Sequence, residues 1–137
     1  MSIKNFKRRI PSIRKDATAL IKEAVSFLVE IKENGLARNV SEFWFRLALD
    51  EAVENSMTHG NNNNPSKRIS VLIIPDENSI RMAIEDEGSG FVPEDLPDPT
   101  DRDRFFKKHG RGVHILRAIA DVGWNEQGNC ITLIMEK

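Results

Sequence analysis

The sequence has little of several features that indicate particular protein classes. Its single cysteine, Cys130, excludes an internal disulfide framework. No apolar run approaches the ~20 residues needed to span a bilayer, and the N-terminus lacks a signal-like apolar stretch. The net charge is -1 and the sequence has no long basic run, so it lacks the positive charge that nucleic-acid binding requires. Internal repeats and Cys/His clusters with metal-ligand spacing are also missing. These absences predict a cytoplasmic protein that binds neither membranes nor nucleic acid directly.

What is present is typical of one globular domain. The chain has 137 residues, of which 39% are hydrophobic and 30% are charged. This length is enough to bury a substantial core, and the composition is that of an ordinary soluble protein. We therefore expect residues 1–137 to form a single domain.

The most informative stretch runs from Arg46 to Asn61 and reads R-L-A-L-D-E-A-V-E-N-S-M-T-H-G-N. Its apolar residues have helical spacing, and Gly60 supplies a stop signal at the C-terminal end. Residues four apart lie on the same face of a helix, so Glu51 and Asn55 project side by side. A carboxylate beside a carboxamide on an otherwise apolar face is costly to bury unless something there uses both. The alternative is a solvated face, because this helix carries three acids close together.

The rest of the chain predicts further elements on both sides of this helix. In chain order they are a strand ending near Ile10, a helix stopping at Asn34-Gly35, the helix containing Glu51, strands over Lys67–Ile74 and Ser79–Glu85, a helix from Gly110-Arg111-Gly112 through Ala120, and a hairpin with its turn at Asn125–Asn129. This order indicates an α+β fold, a two-layer sandwich with helices on one face of a mostly antiparallel sheet.

Asp86 comes where a predicted strand ends and a glycine-rich turn, D-E-G-S-G, begins. Gly88 and Gly90 allow positive φ angles and let the backbone approach a flat ligand closely. A carboxylate held there can accept a hydrogen bond from an exocyclic amine. The alternative is a simple β-turn, because Asp, Ser and Gly are common turn residues.

A second glycine element, Gly110-Arg111-Gly112, directly precedes the last predicted helix. Free backbone N–H groups at a helix N-terminus form an anion site, and Arg111 adds positive charge for phosphates. The alternative is a flexible hinge before a helix. The preceding loop carries three prolines, many charges and no clear period. So long a loop inside a compact domain predicts a functional lid at residues 92–109.

The order of these three elements is more specific than any one of them. An E-x-x-x-N helix, then D-x-G-x-G after a strand, then G-x-G before a helix resembles the nucleotide-binding domain of the GHKL superfamily. That superfamily takes in gyrase, the heat-shock chaperone ATPase, histidine kinases and the mismatch-repair ATPase. The resemblance extends from about Ser41 to the C-terminus. Within the superfamily, the short chain and the segment E-A-V-E-N-S-M-T-H-G look like those of bacterial anti-sigma-factor serine/threonine kinases. These proteins sequester a sigma factor or phosphorylate its antagonist.

The resemblance implies a Bergerat-type ATP-binding fold that uses ATP and Mg²⁺. It gives Glu51 the role of general base and Asn55 that of the Mg²⁺ ligand on the phosphates. Asp86 would accept a hydrogen bond from the adenine amine, and Thr132 would support it. The other predicted ATP contacts are Gly88 and Gly90 at the adenine, and Gly110, Arg111 and Gly112 at the phosphates beneath a mobile lid at residues 92–109.

Two segments depart from the family pattern. The run from Asn61 to Asn64 is unlike the usual continuation after the helix, so it could alter the pocket rim or a partner surface. The lid has its own sequence, so the family's phosphate contacts cannot be transferred to it.

Two functions from different classes follow from the resemblance. The first is an ATP-dependent protein serine/threonine kinase that phosphorylates a small antagonist protein, sequesters a sigma factor, or does both. The alternative is a non-catalytic, nucleotide-gated binding module that regulates a phosphatase or a sigma factor. Glu51 favours the kinase, because binding ATP alone requires no base. Homodimerisation is left open.

Overall fold

The computed structural model describes residues 4–88 and 112–136, which form an antiparallel sheet and helices. The elements in chain order are β1 (Phe6–Pro11), α1 (Arg14–Glu33), α2 (Glu42–Asn55), a π-helical turn (Ser56–Gly60), β2 (Arg68–Pro75), β3 (Ile80–Glu85), α3 (Gly112–Ile119), β4 (Asp121–Trp124) and β5 (Cys130–Met135). The strand order within the sheet is β1-β2-β3-β5-β4. The predicted α+β architecture is confirmed, and β1 is an edge strand as expected from Pro11.

The central strands each bury one face. In β2, Val71 and Ile73 are buried, whereas Leu72 between them is partly exposed. The register places Ile73, Met82 of β3 and Leu133 of β5 in one row across the sheet. Because side chains alternate along a strand, this register puts the apolar residues of all three strands on the same face. The apolar residues of that face form the sheet side of the hydrophobic core.

The helices contribute apolar stripes to the same core. The buried residues of α1 have the predicted helical spacing and are Ala17, Leu20, Ile21, Ala24, Leu28 and Ile31. After α1, the Asn34 side chain donates to the Glu30 carbonyl at 3.0 Å, and Gly35 has a φ of +83° that favours glycine. At the start of α2, the Ser41 hydroxyl accepts from the Trp44 N–H at 3.4 Å, which confirms the predicted N-cap.

The aromatic run at the start of α2 divides between core and surface. Phe45 is fully buried, whereas Phe43 is 68% and Trp44 40% exposed. The rings of Phe43 and Trp44 meet edge to face with centroids 4.8 Å apart. The sequence predicts core positions for these three aromatic residues, with a partner surface as the alternative. The core prediction is wrong for Phe43 and Trp44, which are exposed.

The α-helical part of α2 ends at Asn55, before the predicted stop at Gly60. The chain continues through the π-helical turn, and the Asn61 N–H donates to the Ser56 carbonyl at 2.9 Å. A π-helical turn is wider than an α-helical one, so it displaces the residues that follow. Gly60 still ends the helical segment, although it reaches a different position from the end of a regular α-helix.

Among the described residues, no helix has the length and apolarity that a membrane crossing requires. The lid predicted at residues 92–109 lies outside the described residues.

Candidate functional site

Asp86 directly follows β3 and is buried, with 8% of its surface exposed. Its N–H donates to the Asn129 carbonyl at 2.9 Å, and its carbonyl accepts from the Asn129 side chain at 3.3 Å. Its carboxylate oxygen Oδ1 accepts from the Gly88 N–H at 2.9 Å, which closes a tight turn. The other oxygen, Oδ2, accepts no hydrogen bond from any described residue. Buried polar atoms ordinarily have partners, and within residues 4–88 and 112–136 Oδ2 is a buried acceptor without one.

The electrostatic environment of Asp86 opposes its ionisation. Burial raises the pKa of Asp86 to about 6, and the charge of Glu85 acts in the same direction. The Gly88 hydrogen bond and the charge of Lys67 lower the pKa but do not cancel the effect of burial. An ionised Asp86 would gain a charge-assisted hydrogen bond from a ligand N–H at Oδ2.

Two glycines enclose the Asp86 carboxylate. A Cβ atom at Gly60 would lie 2.2 Å from Asp86 Oδ2, and a Cβ atom at Gly88 would lie 2.0 Å from the Gly60 carbonyl oxygen. Neither position has room for a side chain. The backbone of the π-helical turn therefore touches the turn that holds Asp86, and this contact joins the end of α2 to the carboxylate.

Glu51 and Asn55 lie one turn apart on α2, as predicted. Both are partly exposed, and neither side chain has a hydrogen bond or ion pair with any described residue. Burial, and then the charge of Asp50, raise the pKa of Glu51 above its ordinary value. Glu54 on the same helix differs, because Arg14 of α1 pairs with its carboxylate. Of these two acids, Glu51 is the one whose carboxylate has no partner among the described residues.

The site thus has the buried acceptor of Asp86 at one end of the π-helical turn. At the other end are a carboxylate, Glu51, and a carboxamide, Asn55, neither paired within residues 4–88 and 112–136. The family model described as the histidine kinase-like ATPase domain matches residues 13–135. The chain belongs to this family. The resemblance to the GHKL superfamily is confirmed, and membership implies that the domain binds ATP. A comparison with curated proteins gave no match.

Thr132 of this ATPase domain does not reach Asp86. The register pairs Thr132 with Ala83, three residues before Asp86, which is about 10 Å along a strand. Thr132 also lies on the partly exposed face of β5, between the buried residues Ile131 and Leu133. Opposite Asp86, just before β5, it is Asn129 that makes contact, through both its backbone and its side chain.

Of the second glycine element, Gly110-Arg111-Gly112, the described residues include only Gly112. Gly112 is the first residue of α3, as expected for a glycine element that opens a helix. Gly90, Gly110 and Arg111 lie outside the described residues. Their contacts with adenine and phosphates stay predictions.

Sequence reasoning missed three residues that build the site, which are Gly60, Asn61 and Asn129. In the sequence, Gly60 indicated only the end of a helix. Glycine also allows a close contact with the backbone because it has no Cβ atom, and Gly60 makes such a contact with Asp86. Asn61 was indistinguishable from the asparagines that follow it, since all are common turn residues. Asn129 was assigned to the turn of the closing hairpin, and its place opposite Asp86 depends on the register of β3 with β5.

Proposed function

We propose that this ATPase domain is an ATP-dependent protein serine/threonine kinase of the anti-sigma-factor type. It would phosphorylate a small antagonist protein, sequester a sigma factor, or do both. The observation that carries the proposal is the carboxylate of Glu51, which is unpaired in the part of the chain that the structure describes, has a raised pKa and lies one turn from Asn55. Phosphoryl transfer to a hydroxyl benefits from such a base, whereas ATP binding alone does not require one.

The adenine of ATP would bind at Asp86. Its free oxygen Oδ2 suits the exocyclic amine of adenine, and the contacts with Gly60 and Gly88 hold the carboxylate in place. Guanine carries an exocyclic oxygen where adenine carries the amine. A carboxylate has no donor for that oxygen, so the site would favour ATP over GTP.

Mg²⁺ would bind together with the phosphates rather than in a site made by the protein alone. No group of three or more His, Cys, Asp or Glu side chains within residues 4–88 and 112–136 could hold a metal ion. In phosphate-transfer sites, Mg²⁺ takes few protein ligands and completes its shell with phosphate oxygens and water. The free carboxamide oxygen of Asn55 fits that role.

ATP would supply the phosphoryl group, and Mg²⁺ held at Asn55 would offset the charge on its oxygens. The hydroxyl oxygen of the protein acceptor forms a bond to the γ-phosphorus, the bond to the bridging oxygen breaks, and ADP leaves. Glu51 accepts the hydroxyl proton. The raised pKa of Glu51 suits this role, because a general base works best with a pKa nearer the operating pH.

Two observations support a protein partner of this class, one in the sequence and one on the surface of α2. The E-A-V-E-N-S-M-T-H-G segment looks like that of anti-sigma-factor kinases, which act on a sigma factor and its antagonist. Phe43 and Trp44 are exposed at the start of α2, the same helix that carries Glu51. Exposed aromatic side chains are enriched in protein interfaces, so this pair would suit a protein acceptor.

The test is transfer of radiolabelled phosphate from ATP to candidate partners, especially small antagonist-type domains with an exposed serine. Glu51→Gln keeps the shape of the side chain but removes the base, so transfer should fall roughly 10²–10⁴-fold with ATP affinity nearly unchanged. Asn55→Ala should lose both ATP binding and transfer. Glu54→Gln is the matched control, since its carboxylate is already paired with Arg14 and transfer should persist.

Two results would contradict the proposal. Labelling by Glu51→Gln as fast as by wild type would show that Glu51 is not the base. If wild type labels no partner but binds a sigma factor or phosphatase in a nucleotide-dependent way, the domain is the non-catalytic binding module instead.

A further inference from the structure

Asn61 follows the π-helical turn and is fully buried, with 0% of its surface exposed. Its Nδ2 donates to Ser12 Oγ at 2.8 Å and to the Arg68 carbonyl at 3.0 Å. Its Oδ1 accepts from the Glu87 N–H at 2.8 Å. A buried carboxamide is costly unless its groups are hydrogen-bonded, and both N–H groups and the oxygen of Asn61 have partners.

These partners belong to separate parts of the chain. Ser12 lies between β1 and α1, Arg68 begins β2, and Glu87 follows Asp86 in the turn after β3. The network also fixes the orientation of the amide. A flipped Asn61 would place its NH₂ group against the Glu87 N–H and its oxygen against the Arg68 carbonyl, leaving both without a partner.

The backbone of Asn61 is tied to the π-helical turn that continues α2, because its N–H donates at 2.9 Å to the carbonyl of Ser56, the first residue of that turn. The bond from the Gly88 N–H to Asp86 Oδ1 fixes the carboxylate within its own turn. That bond does not fix the turn relative to α2. Beside the packing contact of Gly60, the side chain of Asn61 supplies a hydrogen-bonded connection through the Glu87 N–H.

We propose that Asn61 is a positioning residue for nucleotide selection, holding the turn of Asp86 in register with the end of α2 that carries Asn55. The inference rests on the proposed function, in which Asp86 binds adenine. Without Asn61, the Glu87 N–H loses its acceptor and the turn moves to find another. A hydrogen bond to adenine needs a donor–acceptor distance of about 2.9 Å, so a shift of about 1 Å at Asp86 removes it.

The experiment compares Asn61→Ala with Ser12→Ala. Ser12→Ala removes a buried hydroxyl of the same network, which donates to the Lys67 carbonyl at 2.8 Å, but it leaves the bond from Glu87 to Asn61. The readouts are the midpoint of thermal unfolding and the ratio of GTP to ATP dissociation constants, measured by calorimetry with Mg²⁺. Both variants should unfold at lower temperature, and only Asn61→Ala should lose selectivity, on the order of ten-fold.

A purely structural role would lower stability in both variants and leave the ratio unchanged. If Asn61→Ala does not fold alone, trimethylamine N-oxide is added to all three proteins, because it favours the folded state. Retained selectivity in Asn61→Ala, or an equal loss in Ser12→Ala, overturns the inference. A wild type without preference for ATP overturns the adenine assignment itself, which distinguishes failure of the proposed function from failure of the Asn61 role alone.

Discussion

At the scale of single residues, the site depends on buried polar groups, and one of them lacks a partner. Asn61 uses every hydrogen-bonding group of its side chain. Asp86 keeps the oxygen Oδ2 without a donor among the described residues, and burial opposes the charge of its carboxylate. Such a group lowers folding stability. Binding a ligand amine would restore the missing hydrogen bond.

We therefore predict that Asp86→Asn stabilises the fold while weakening ATP binding. The folded-state pKa of about 6 lies above the ordinary pKa of 3.8 for an aspartate, so the folded state holds its proton more tightly. Wild type therefore loses stability as the pH rises from about 4 through about 6, and Asp86→Asn does not. The melting temperature of the variant should exceed that of wild type by a few °C near neutral pH, since a change of about 1 kcal/mol shifts it by that much. Thermal unfolding at neutral and mildly acidic pH measures this, and the difference should shrink with acid. A difference that grows with acid would contradict it.

At the residue level, prediction from sequence worked where local spacing decides the geometry. The adenine role of Asp86 came from the order of three motifs rather than from Asp86 alone, and it stays a prediction. Glu51 and Asn55 were placed correctly on one helix face because their spacing fixes it. Thr132 was assigned to the support of Asp86 only by its resemblance to a threonine of the family. The strand register brings Asn129 to Asp86 instead. Register depends on long-range pairing, which the local sequence does not contain.

At the scale of elements, the π-helical turn after α2 determines how two parts of the site meet. The turn brings Gly60 against Asp86. In a π-helical turn the hydrogen bonds join residues five apart, whereas in an α-helix they join residues four apart. The sequence from Ser56 to Gly60 carries no pattern that distinguishes the two kinds of turn. The helix and its stop were therefore predictable from sequence, whereas this change of geometry was not.

The contact between Gly60 and Asp86 gives a prediction with a matched control. Gly60→Ala would place a Cβ atom 2.2 Å from Asp86 Oδ2, so either the turn or the carboxylate must move. We expect a loss of about 1–3 kcal/mol in unfolding free energy, typical of overpacking, together with weaker ATP binding. Gly123→Ala in β4 has nothing within 4 Å of its Cβ atom and should change neither. Denaturant unfolding and calorimetry measure both variants, and equal behaviour would exclude the close contact.

At the scale of the whole molecule, the sheet holds the site together from distant parts of the chain. β3 pairs with β2 on one side and with β5, the last strand, on the other. Asp86 therefore comes between Asn61, which follows α2, and Asn129, which precedes β5. The α+β class was predictable from alternation and helical periods. The pairing of β3 with β5 was not, since neither strand carries a local signal for its partner.

We propose that the buried carboxylate of Asp86 selects adenine. Calorimetric titration with ATP and with GTP in the presence of Mg²⁺ measures this selection. Wild type should bind ATP more tightly than GTP. Asp86→Ala should weaken ATP binding by about 1–3 kcal/mol, roughly five- to 150-fold in Kd, and affect GTP little. Glu85→Ala removes an exposed carboxylate one residue away and should leave ATP affinity nearly unchanged. Unchanged ATP affinity in Asp86→Ala, or equal affinity of wild type for the two nucleotides, would contradict the account.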